Sequence, residues 1–301
     1  MRTDFSGVYS ALLTPFDEKG KLMEKALRKM ARWEVNKGLH GLYICGSTGE
    51  GIFMTTEERM RVAEIVKDEI KDDAIIMCHI GGCTNTNEGL KLAKHAAKIK
   101  VDALASIPPI YYPYSFTNIK DYYKTLSDST DLPFFMYYIP ELTGGAISNE
   151  NIVEIAAFKN MKGIKFTGFD FYKLQDLINM TGGKWTALSG PDQLFLPALT
   201  MGVDGSIGST QNCLPEILLG IYESFKRGDL QNAMKLQRRM TTACVITGKY
   251  SGMISRKMAM KFRGVDAGFC RAPLKTKLSP SEEKWLKTEW KKAFPEYSEG
   301  L

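Results

Sequence analysis

No stretch of this chain reaches the ~18 consecutive apolar residues that a membrane-spanning helix needs. Membrane contact is therefore not expected, and a cytoplasmic protein is the default. Histidine is scarce, with only His40, His79 and His95. None has a partner at metal-ligand spacing. The six cysteines (Cys45, Cys78, Cys83, Cys213, Cys244 and Cys270) form no Cys-x-x-Cys pair, and none lies at zinc-finger spacing from a histidine. In a chain this long they read as free, mostly buried thiols in a reducing compartment. Charge of one sign is also in short supply. Forty basic residues face 34 acidic ones, a net of +6. Basic residues thicken toward the C-terminus, but apolar residues interrupt them and no aromatic stacking platform accompanies them. A nucleic-acid partner is not expected. There is no linker, low-complexity tract or short-period repeat.

What is present is ordinary globular material, 44% hydrophobic and 25% charged over 301 residues, with ample length for a sizeable core. Eight short apolar runs read as strands, at 8–13, 41–45, 74–80, 103–107, 134–139, 163–166, 186–189 and 205–207. Between them lie longer stretches of helical period, among them 24–36, 56–69, 87–99, 149–157 and 194–201. Thr55 with Glu58, and Ser279 with Glu282, form candidate capping boxes, the second with Pro280 at the first helical position. Strands that alternate with helices imply parallel pairing and right-handed crossovers. The expected fold is α/β, a (β/α)8 TIM barrel. An open doubly wound sheet ranks lower, because the opening turn has no G-x-G-x-x-G fingerprint. Residues 1–225 are assigned to the barrel and 226–301 to a helical appendix beside it.

Chemistry in such a barrel gathers at the C-terminal ends of the strands. Gly163-Ile164-Lys165-Phe166-Thr167 places a lysine in an apolar strand, where desolvation frees a neutral, nucleophilic amine. The alternative is an ordinary lysine with a buried stem and a wet head. Gly46-Ser47-Thr48-Gly49 can form a nest that holds a carboxylate, or simply a tight turn. Tyr137 can shuttle a proton, or pack in the core with its hydroxyl at the surface. Tyr111 and Tyr112 fit packing or an interface patch. Asp192 fits a cap on the helix that follows it, and His79 a satisfied core histidine.

Five motifs, in this order and spacing, resemble a known family. They are Ala11-Leu12-Leu13-Thr14-Pro15-Phe16, Gly46-Ser47-Thr48-Gly49-Glu50, Tyr137-Tyr138-Ile139-Pro140, Gly163-Ile164-Lys165 and Gly205-Ser206-Ile207-Gly208-Ser209. The family is the pyruvate-dependent class I aldolases that include dihydrodipicolinate synthase and N-acetylneuraminate lyase. The resemblance spans about residues 7–273. Tyr138-Ile139-Pro140-Glu141-Leu142-Thr143-Gly144 is similar to the sialic acid lyase branch, since the synthase branch usually carries arginine where Leu142 stands.

The resemblance implies a homotetramer that acts on small molecules, pyruvate and a sugar or amino-sugar aldehyde, with neither metal nor organic cofactor. It implies Lys165 as the Schiff-base lysine and Tyr137 as the proton shuttle. Ser47 and Thr48 would hold the pyruvate carboxylate, and Tyr111 would join the hydroxyl relay across a subunit interface. Thr167, Gly190, Asp192 and Ser209 would contact the sugar hydroxyls. The chain departs from the lyase pattern at Gln193, where glutamate is common, and at Pro191. Three alternatives stay open: a related 2-keto-3-deoxy-sugar-acid aldolase or dihydrodipicolinate synthase-like enzyme, a non-catalytic sugar-acid-binding regulator, and a phosphate-binding barrel isomerase.

Overall fold

The computed structural model describes residues 4–300. Eight strands pair in parallel in chain order: β1 (Gly7–Ala11), β2 (Gly41–Ile44), β3 (Ile75–His79), β4 (Ala103–Ser106), β5 (Phe134–Tyr138), β6 (Met161–Phe166), β7 (Thr186–Ser189) and β8 (Gly205–Gly208). β8 returns to β1 and closes the barrel. The helices that follow the strands are α1 (Glu24–Asn36), α2 (Thr56–Ile70), α3 (Thr86–Lys98), α4 (Phe116–Ser127), α5 (Asn149–Ala156), α6 (Phe171–Met180), α7 (Phe195–Thr200) and α8 (Pro215–Lys226). Three more come after the barrel: α9 (Leu230–Gly248), α10 (Gly252–Phe262) and α11 (Pro280–Ala293). The expected (β/α)8 barrel and C-terminal helices are both there. Both capping boxes also form, Thr55 with Glu58 on α2 and Ser279 with Glu282 on α11.

Alternation along each strand divides the buried side chains into two cores. One lies inside the barrel and includes Tyr9, Tyr43, Met77, Phe135, Tyr137, Leu188 and Ile207. The other fills the layer between strands and helices and includes Val8, Ile44, Cys78, Ile164 and Phe166. The interior is filled by pairing large with small. A Cβ on Gly41 would lie 2.5 Å from the Tyr9 ring, and one on Gly163 would lie 2.4 Å from the Phe135 ring and 2.2 Å from the Thr186 carbonyl oxygen. Glycine is thus required in β2 and β6 so that aromatics from β1 and β5 can fill the barrel floor. Above that floor the interior is left for other side chains.

One outer-layer group is unusual. Leu27, Met30, Ala31 and Glu34 form the buried stripe of α1 at helical spacing, which drives the Glu34 carboxyl into the helix–barrel layer. Burial pushes its pKa up to about 8, with only the Ser10 hydroxyl acting in the other direction. The acid is therefore protonated at neutral pH. Between about 4.5 and about 8 the unfolded chain has lost a proton that the native state keeps, so stability falls as pH rises across that window. In Glu34→Gln this slope disappears. Thermal or urea unfolding should show the variant gaining about 2.5 kcal/mol on the wild type between about pH 5 and about pH 7.

Candidate active site

Tyr137 on β5 and Lys165 on β6 are register partners, and both face inward. Neighbouring strands lie ~4.8 Å apart, so side chains in register on one face must meet. Lys165 Nζ lies 4.0 Å from the centre of the Tyr137 ring. It is also 4.3 Å from the ring of Tyr43, which reaches across from β2 on the far side of the barrel. Lys165 is only 4% exposed. Aromatic faces favour an ammonium ion, but burial outweighs them. The amine is held below its ordinary pKa of 10.5 by desolvation, while the Tyr137 hydroxyl and then the Asp192 carboxylate pull the other way. The result is an amine whose neutral form is accessible, which makes it a competent nucleophile toward a carbonyl carbon. Ile164 and Phe166 flank the lysine in sequence, but they do not wall it. They belong to the outer core instead, because side chains alternate along a strand. The wall is Tyr43 and Tyr137.

The turn after β2 is bracketed by two non-glycine residues in the left-handed region, Cys45 at φ 59° and Glu50 at φ 57°. Such residues are uncommon and persist where the surroundings hold them. His79, at the end of β3, supplies one hold. Its Nε2 accepts the Ile107 N–H at 3.2 Å, so Nδ1 carries the proton and donates to the Cys45 carbonyl at 3.2 Å. Burial, helped by the charges of Arg59 and Lys165, keeps its pKa well below the ordinary 6.5. This neutral imidazole ties the exits of β2 and β4 together, and so His79 is a satisfied core histidine with a positional role. Within the turn, Thr14 donates its hydroxyl to the Gly49 carbonyl at 2.7 Å. Thr48 is buried and Ser47 half-buried.

A third group joins the exits of β6, β7 and β8. The Gly190 N–H donates to the Phe166 carbonyl at 2.8 Å. A Cβ on Gly190 would lie 1.9 Å from Thr167 Oγ1, so glycine is what lets Thr167 close in. Asp192 does not cap the helix that follows it. Its Oδ2 accepts the N–H groups of Ser209 at 3.0 Å and Thr210 at 2.8 Å, because the β7 and β8 exits lie side by side. Thr167 Oγ1, Asp192 Oδ1 and the Tyr43 hydroxyl are buried with no hydrogen-bond partner among the described residues. Gln193 follows Asp192, half-buried.

Tyr111 stands apart. It is 91% exposed, adopts φ 84° and meets Tyr112 edge-on at 4.9 Å. With Ile52, Cys83, Tyr112, Tyr114 and Tyr122 it lines a cavity of about 650 Å³ that neither Lys165 nor Tyr137 borders. Sequence reasoning missed Tyr43. Its inward position on a four-residue strand was a usable signal, but its approach to Lys165 depends on barrel closure. Among the described residues, no group of three His, Cys, Asp or Glu side chains could hold a metal ion. Among the described residues, no helix is long and apolar enough to cross a membrane.

A parallel (β/α)8 barrel with a desolvated lysine against two tyrosines has the architecture of a class I aldolase, and the relatives of this chain make it a carbon–carbon lyase. Residues 4–292 match the dihydrodipicolinate synthetase family, and the chain belongs to it. It is 38% identical over 289 residues to an N-acetylneuraminate lyase of Fusobacterium nucleatum, covering 95% of this chain and 98% of that protein. It is 37% identical over 273 residues to the N-acetylneuraminate lyase of Clostridium perfringens, covering 89% and 93%. Among solved structures, CdNal from Clostridium difficile in complex with mannosamine superimposes with a TM-score of 0.93 at 34% identity, covering 97% of this chain and all of that one.

Proposed function

We propose that this chain cleaves N-acetylneuraminate reversibly to N-acetylmannosamine and pyruvate through a Schiff base on Lys165. The observation that carries the chemistry is the buried, depressed-pKa amine of Lys165 packed against Tyr43 and Tyr137. The substrate reading draws its support from the N-acetylneuraminate lyases at 35–38% identity and from the mannosamine-bound relative.

Lys165 adds to the C2 ketone of the open-chain sugar, and loss of water gives a protonated imine. Tyr137, its own proton passed to the hydroxyl relay, takes the proton from the C4 hydroxyl. The C3–C4 bonding pair moves toward the imine nitrogen, and the aldehyde N-acetylmannosamine leaves. The enamine left behind takes a proton at C3, and water releases pyruvate and the free amine. Ser47 and Thr48 hold the carboxylate next to the carbon under attack. Thr167, Gly190, Asp192 and Ser209 take the sugar hydroxyls. A buried polar atom without a partner costs about 1–3 kcal/mol, and substrate hydroxyls would satisfy Thr167 Oγ1 and Asp192 Oδ1. Gln193 faces the far end of the sugar as a neutral donor and acceptor.

The working enzyme in this reading is a homotetramer in a reducing cytoplasm, which suits six free cysteines. The solvent-facing Tyr111 then enters the relay of a second copy. Borohydride added with pyruvate, followed by peptide mass mapping, tests the covalent step. A reduced adduct on Lys165 is expected, and an adduct on any other lysine refutes the assignment. A panel of aldehydes offered with pyruvate separates N-acetylmannosamine from the acceptors of other keto-sugar aldolases.

A further inference from the structure

Lys257 lies on α10, in the helices beyond the barrel, and its side chain is wholly buried beside the equally buried Glu50. An ammonium has three N–H donors, and all three are used. They go to Glu50 Oε1 at 2.6 Å, the Thr14 carbonyl at 2.7 Å and the Phe269 carbonyl at 2.6 Å. The other oxygen of Glu50 accepts the Arg271 N–H at 2.7 Å. Glu50 directly follows the Gly46–Gly49 turn and sits in the left-handed region. Thr14 closes the circuit, since its hydroxyl holds the Gly49 carbonyl. Arg271 grips the next stretch of the same connection, through the Phe53 carbonyl at 2.9 Å and the Glu58 carboxylate at 2.7 Å. Lys257 and Arg271 both pack on the ring of Phe16, at 5.0 and 4.0 Å.

A buried ion pair is a poor device for stability, because the desolvation of two charges offsets most of their attraction. It does fix geometry, and the geometry fixed here is that of the turn assigned to the substrate carboxylate. The pair also neutralises Glu50, whose charge would otherwise stand one residue beyond an anion site.

We propose that Lys257, acting through Glu50 and Thr14, is a positioning residue that sets the Ser47–Thr48 cradle for the keto-acid carboxylate, so that the C-terminal helices help build the active site. The inference rests on the carboxylate role of Ser47 and Thr48 stated above.

Borohydride trapping of Lys165 tests it, run over a range of pyruvate concentrations and separately with acetone, a ketone without a carboxylate. In Lys257→Met the pyruvate needed for half-maximal trapping rises by about tenfold or more, while acetone trapping changes by less than about twofold. Thr14→Val removes only the hydroxyl bond to Gly49, and a smaller shift in the same sense is expected. It decides the matter if Lys257→Met does not fold. Equal changes with the two ketones, or an unchanged pyruvate requirement, overturn the proposal. Ser47→Ala combined with Thr48→Val separates the two levels. If that variant takes up pyruvate as well as the wild type does, the cradle itself is wrong, and the proposal falls with it. If it loses pyruvate while the folded Lys257 and Thr14 variants do not, the cradle stands and only the role of Lys257 fails.

Discussion

Replacing Lys165 with methionine should abolish turnover and leave the barrel intact. The covalent route needs a nitrogen that can lose its proton and add to a carbonyl, and a thioether offers none. Arginine fails for a different reason, because it never gives up its proton in a protein. Aldol cleavage followed by pyruvate release should show no rate above background for either variant. The structure also predicts the stability of the methionine variant. The native amine releases its proton below the ordinary 10.5, so the unfolded chain binds more protons across that window and wild-type stability rises with pH there. Near neutral pH the buried lysine therefore costs stability. Lys165→Met should unfold at a temperature no lower than the wild type does. Full turnover in Lys165→Arg would end the Schiff-base account.

Tyr137→Phe should lower kcat by ~10²–10⁴-fold, the usual worth of a positioned acid–base group. Trapping with pyruvate should survive, because imine formation draws on the amine rather than on the C4 proton. The pH dependence carries a sharper expectation. Burial lowers the Lys165 pKa, and the Tyr137 hydroxyl is the strongest influence raising it again. Without that hydroxyl the pKa falls further, so more of the amine is neutral at a given pH. The midpoint of borohydride trapping against pH should shift downward in the variant. An upward shift, or trapping and cleavage lost to the same extent, would take Tyr137 out of the shuttle role.

Parts of this site are legible along the chain. A lysine in an apolar run between Gly163 and Phe166 stands out because burial of a charge is costly without a use. The alternation of eight short apolar runs with helical stretches points to a parallel sheet, and it closes as a barrel. Other parts are not local. Asp192 reads as a helix cap, yet it accepts two amides from the neighbouring β8 exit, a pairing set by strand order. Ile164 and Phe166 look like the wall of the lysine because they are its neighbours in sequence, but the two-residue period of a strand turns them away. Glu50 ends a motif whose glycines and hydroxyls carry the local signal, and its partner is 207 residues away.

The sequence by itself determined the alternation of strand and helix and the capping boxes, and it singled out the lysine and tyrosine proposed for the chemistry, because each depends on spacing, on local hydrogen bonds or on one residue whose charge disagrees with its surroundings. Only the tertiary structure decided which rings enclose that amine, what holds the turn after the second strand, and that the helices beyond the barrel reach into it. Those contacts join residues far apart in the chain, and they exist only once closure brings opposite strands face to face.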